Sequence, residues 1–150
     1  MAVVKRKKRV AAEQSRFQFT PETFDASYSL GPGDPRHHLA DFNATQSIQL
    51  EGPITFPEKL RWPRFELWIY AGSEQLARAA QDKHDYIGSA ESSSGILYGH
   101  VWVHDQQFPT LMTMALSGRL RCASLHMNKS IHRRGAWMIV NLSLSTQTEV

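Results

Sequence analysis

Residues 95–104 read Gly-Ile-Leu-Tyr-Gly-His-Val-Trp-Val-His, and their alternate members form two chemically distinct sets. Leu97, Gly99, Val101 and Val103 are small or aliphatic, whereas the other set begins at Ile96 and continues with Tyr98, His100, Trp102 and His104, which carry aromatic and imidazole groups. Successive side chains of a strand point to opposite faces, so this stretch predicts a strand with one face lined for a core and the other bearing an aromatic, histidine-containing strip. A chain holding such a strand needs a layer to cover the first face.

The same two-face pattern recurs. Arg64 to Ala71 places Phe65, Leu67, Ile69 and Ala71 on one side and Glu66, Trp68 and Tyr70 on the other. Ser47 to Phe56 alternates in the same way but is interrupted by Gly52 and Pro53, which predicts an edge strand with a bulge or two strands meeting at a bend. A further strand is expected from about Thr23 to Leu30, with Phe24, Ala26, Tyr28 and Leu30 at alternate positions. Gly31, Pro32, Gly33, Asp34 and Pro35 then open a loop that runs to about Ala44 and carries His37 and His38. The last strand, Ala136 to Ser145, is expected to turn Ala136, Met138, Val140, Leu142 and Leu144 inward, against Trp137, Ile139, Asn141 and Ser143.

Between these strands, Ser73 is placed to cap one short helix over Glu74 to Lys83, with Leu76, Ala79, Ala80 and Lys83 as a weak stripe. Tyr86 and Ile87 suggest a short strand at 84–88, and the serines of Ser89 to Ser94 read as a turn or loop. Thr110 to Leu116 and Arg119 to Met127 read as two strands joined by a hairpin at Ser117 and Gly118, with a bulge near Ala123. The fold class that follows is all-β: an antiparallel β-sandwich or open barrel of about seven to nine strands with one short helix, formed by a single domain over 17–150.

Residues 1–16 stand apart. Lys5, Arg6, Lys7, Lys8 and Arg9 form a basic run with no apolar periodicity around it, which predicts a flexible arm. The formal charge of the chain is +3, yet without these five residues 12 basic side chains face 14 acidic ones, so the basic character belongs to the arm. Cys122 is the single cysteine, so no intrachain disulfide forms. With neither a secretory h-region nor a membrane-length apolar run, an intracellular, cytoplasmic address is expected, a nuclear one is not excluded, and no membrane partner is expected.

Motifs of specific chemistry are missing. His100 and His104 share a strand face, but four residues at ~3.3 Å separate their Cα atoms by ~13 Å, too far to grip one ion from an extended strand. No Gly-x-Ser-x-Gly elbow or glycine-rich phosphate loop occurs, so no metal, cofactor or catalytic residue is assigned. The chemistry that remains is the surface strip: Trp68, Tyr70, Tyr98, His100, Trp102 and His104 are the candidate binding residues, with Trp137 as a further member to be placed. Two environments are open for them, a binding face or a second small core covered by the helix.

The functional expectation is a non-enzymatic interaction or self-assembly module, with a protein partner or a second copy on the aromatic face. The alternative is a nucleic-acid-binding protein using Lys5, Arg6, Lys7, Lys8 and Arg9, the turn with Lys129, Arg133 and Arg134, and Arg119 and Arg121 for phosphate contacts. An enzyme using histidine acid/base groups has the least support.

Overall fold

The computed structural model describes residues 15–32, 42–57, 63–129 and 135–147. Eight strands and two short helices follow in the order β1 (Ser15–Phe19), β2 (Thr23–Pro32), β3 (Phe42–Phe56), β4 (Arg64–Ala71), α1 (Ser73–Gln81), β5 (Gly88–Ser93), β6 (Ile96–Val103), α2 (Phe108–Leu116), β7 (Cys122–Lys129) and β8 (Ala136–Ser145). The strands form one sheet in the order β1-β7-β8-β5-β6-β4-β3-β2, and a further β1–β3 pairing closes seven of them into a barrel with β2 outside. The all-β expectation is met by a closed barrel. It is mixed rather than wholly antiparallel, because β4 and β6 run parallel from Arg64↔Ile96 to Ala71↔Val103.

Closure depends on β3, whose 15 residues are long enough to serve two neighbours. Its first part pairs with β2 from Pro32↔Phe42 to Thr23↔Glu51, and its end pairs with β1 at Gln18↔Phe56 and Phe19↔Ile54. The changeover lies at Gly52 and Pro53, where the Thr20 N–H donates to the Pro53 carbonyl at 3.0 Å and the Glu22 N–H to the Glu51 carbonyl at 2.8 Å. A methyl group on Gly52 would collide with the Thr20 carbonyl, so only glycine lets the β1–β2 link lie this close. Freed from β3's far half, β1 pairs along its other side with β7.

The barrel is filled by side chains. Phe17, Phe19, Ile48, Leu50, Phe65, Leu67, Ile69, Leu97, Val101, Leu125, Met127, Trp137 and Ile139 form one buried cluster. Phe19 stacks on Phe65 at 5.1 Å between centroids, and Phe17 meets Trp137 edge-on at 5.2 Å. Gly99 makes room for the first pair, since a Cβ there would stand 2.8 Å from the Phe65 ring. The inward set expected for β6 is therefore the observed one.

Several expectations are corrected. Residues 84–87 form no strand, since β5 begins only at Gly88, and the loop expected over 31–44 is shorter at both ends because β2 runs on to Pro32 and β3 starts at Phe42. The strand expected at Thr110 to Leu116, with its hairpin at Ser117 and Gly118, is instead the second helix, α2. Pro109 sits in its first turn, and Phe108, Ala115 and the following Leu120 are buried in the core cluster. Ser89 to Ser94 is not a loop: Gly88–Ser93 is β5, joined to β6 by a two-residue turn in which Ser94 (φ 51°) and Gly95 (φ 79°) both take positive φ. In β8 the facing is reversed at its start, with Trp137 and Ile139 buried inside. The register then shifts between His126↔Asn141 and Met127↔Ile139, which returns Leu142 and Leu144 to the core side. The irregularity expected near Ala123 thus falls further along the β7–β8 pair. Finally, β1 starts at Ser15, within the stretch assigned to the arm; residues 1–14 and the loop histidines His37 and His38 lie outside the described residues.

Candidate functional site

The outer face of β4 and β6 carries the aromatic strip, and the parallel register fixes its layout. Glu66 lies beside Tyr98, Trp68 beside His100, and Tyr70 beside Trp102. On the other side of β4, Gln49 and Ser47 of β3 sit opposite Trp68 and Tyr70. The rings order themselves on this grid: Trp68 and Tyr70 lie at 6.5 Å and 13° between planes, and Tyr70 and His100 at 5.9 Å and 16°. Three rings from two strands thus form a nearly parallel row.

Glu66 holds one end of that row. Its Oε1 accepts hydrogen bonds from the Trp68 indole N–H at 3.0 Å and from Gln49 Nε2 at 2.8 Å. A ring tied this way loses little further freedom when a partner packs on it. Trp68, Tyr70, Tyr98 and Trp102 are half-buried and His100 is exposed. Partial burial among its neighbours also pushes the Tyr70 hydroxyl above its usual pKa.

The two ends of the strip differ. Trp102 lies against Gly72 at the start of α1, so closely that a methyl group on Gly72 would strike its ring. That helix start is fixed by a reciprocal pair: the Ser73 N–H donates to Asp105 Oδ1 at 3.2 Å, and the Asp105 N–H donates to Ser73 Oγ at 2.8 Å. Ser73 is the first helical residue and its hydroxyl makes no cap of its own helix, unlike the cap expected from sequence. The helix therefore covers the Trp102 end and buries none of its own residues fully in doing so.

Beyond Tyr98 and His100 the face drops into a trough of about 300 Å³ lined by Ser89, Ala90, Glu91, Tyr98, His100, Ala136 and Met138. The cause is local sequence. Between the large side chains of β6 and Met138 of β8, β5 presents only Ser89 and Glu91 opposite His100 and Tyr98. The serine-rich stretch supplies the floor of the concavity. A two-residue Ser-Gly turn directly before the strongest strand was the signal that could have identified it.

Other candidate residues are placed elsewhere. His104 is exposed but has left the strand, and its carbonyl accepts from the Gln107 N–H at 2.9 Å and the Phe108 N–H at 3.2 Å to begin α2. Trp137 is inside the barrel at 7% exposure, which removes it from the outer strip. Among the residues of the nucleic-acid alternative, Lys129 is exposed with its Nζ 5.5 Å from the Trp137 ring centroid, and Lys5, Arg6, Lys7, Lys8, Arg9, Arg133 and Arg134 lie outside the described residues. Arg121 donates to the Gly118 and Leu120 carbonyls at 3.1 and 3.4 Å. Cys122 is 2% exposed, and burial raises its thiol pKa, partly offset by Arg16. Among the described residues, no three histidine, cysteine, aspartate or glutamate side chains gather as a metal site.

No family model matches this chain, and no curated protein and no solved structure matches it.

Proposed function

We propose that this barrel is a non-enzymatic binding module and that a protein partner seats on the outer face of β4 and β6. The observation that carries the reading is the parallel Trp68–Tyr70–His100 row, held at one end by Glu66 and flanked on the other side by the β5 trough. Ordered aromatic side chains with polar tips, part exposed beside a concavity, combine large contact area with low ordering cost. Such residues supply much of the binding energy at protein interfaces. The charge at the row favours a protein over a nucleic acid, since the Glu66 carboxylate borders it and would repel a phosphodiester backbone. A partner presenting an apolar anchor beside a lysine or arginine fits this edge.

The test uses the full chain, immobilised to capture partners, beside Trp68→Ala and His100→Ala forms whose melting is checked first. Loss of one captured protein in both variants, with the fold retained, is the expected result. Equal capture by all three forms would overturn the reading, as would captured nucleic acid whose binding weakens steeply with salt.

A further inference from the structure

We infer that two copies of this chain associate through β2, edge to edge, into a dimer separate from the aromatic face. Every strand of the barrel has a partner on each side, whereas β2 pairs with β3 alone among the described residues. In an antiparallel pair the residues alternate between those directing N–H and C=O at the neighbour and those directing them away. A strand of 10 residues with one neighbour therefore presents a row of free donors and acceptors along its other side.

The usual protections of such an edge are missing over its first seven residues: from Thr23 to Ser29 the strand has no lysine, no proline and a single charge, Asp25, and its side chains are exposed apart from half-buried Phe24. Its one proline, Pro32, falls at the far end, outside the stretch proposed to pair. Tyr28 is 62% exposed. The alternation also specifies what fits: Phe24 and Ala26 lie opposite Leu50 and Ile48 and so share the core side of the sheet with Tyr28, while Thr23, Asp25, Ser27 and Ser29 share the other side. The incoming strand must match this, apolar on one side and polar on the other.

β2 itself has that pattern. A two-fold axis perpendicular to the sheet pairs two antiparallel copies without exchanging faces. With the axis at Ala26, Phe24 falls opposite the partner's Tyr28, Asp25 opposite the partner's Ser27, and Ala26 opposite the partner's Ala26. Aromatic faces aromatic, and no carboxylate meets another. Because the barrels are closed and each β2 is consumed by the pairing, the assembly stops at two copies.

Light scattering on the full chain, at concentrations on the order of 1 to 100 µM, should show the mass rise towards twice the 17.0 kDa of one chain. Ala26→Lys puts like charges opposite each other at an already exposed position and should weaken association at least tenfold, while melting measured at dilutions where both forms are monomeric stays unchanged. Trp68→Ala should leave the dimer intact. In a Cys122→Ala background, Ala26→Cys should form a disulfide-linked dimer faster than Ser29→Cys, because residues opposite each other at the axis are ~4.5 to 5.5 Å apart between Cα atoms, within disulfide reach.

A monomer at every concentration would overturn the inference, showing the edge unused or covered by the chain itself. So would open-ended oligomers, equal cross-linking from both cysteines, or a dimer that persists in Ala26→Lys. A dimer lost in Trp68→Ala instead would assign self-association to the aromatic face and refute the β2 pairing, without touching the proposal that this face binds.

Discussion

At the scale of single residues, the two sets of side chains on β6 have separate tasks, and Gly99 shows how tightly the inner task is set. It lies between Leu97 and Val101, both fully buried, and a methyl group there would sit 2.8 Å from Phe65 and 3.2 Å from Leu67. Phe65 cannot retreat, because its other face is stacked on Phe19. Gly99→Ala should therefore destabilise by about 1 to 3 kcal/mol through overpacking. Val101→Ala should cost about 1.5 to 2.5 kcal/mol through lost burial and a cavity. Urea unfolding of both variants checks the pair: little change in either would mean that this face does not pack as described. This assignment was legible in the sequence, since strict alternation over a long run leaves only the choice of inner face. The Glu66 bond to Trp68 was not, because residues two apart on a strand announce no hydrogen bond between their tips.

At the scale of elements, legibility followed periodicity and failed where something else decided. β4 and β6 alternate cleanly, and their inner faces follow from the pattern. β8 also alternates, but both of its faces are rich in large apolar residues, so the pattern did not say which set turned inward. A register shift let Trp137 and Ile139 face the core at one end and Leu142 and Leu144 at the other. β5 has hardly any apolar residues to alternate. It is a strand because it is hydrogen-bonded between β6 and β8, not because serine favours strands. In α2, the run Phe108 to Leu116 is too apolar and too short to separate a strand from a buried helix by pattern. Proline at its second position is the sign of a helix start that the apolar pattern hides. Phe108 leads that helix at 1% exposure as part of the core. Phe108→Ala should cost about 3 to 5 kcal/mol in unfolding free energy; a loss below about 1 kcal/mol would mean α2 is not a fixed part of the core.

At the scale of the whole molecule, topology assembles what no local stretch contains. The parallel pairing of β4 with β6 brings Trp68 and Tyr70 beside His100 although about thirty residues of chain separate them, and the β5 hairpin lays a small-residue trough alongside. Nothing in the alternation of either strand indicates that they are neighbours or that they run parallel. The closed barrel uses the inner faces of seven strands, and among the described residues the outer face of β4 and β6 is covered only at Trp102, beside the start of α1.

The direct test of that division is oxidative footprinting of the full chain read by mass spectrometry, alone and with the protein it captures. Trp68, Tyr98 and His100 should be labelled in the free chain and protected only when the partner is bound, while Phe65 and Trp137 should be protected throughout. Outer rings as protected as Phe65 in the free chain, or labelled equally with and without the partner, would contradict this division.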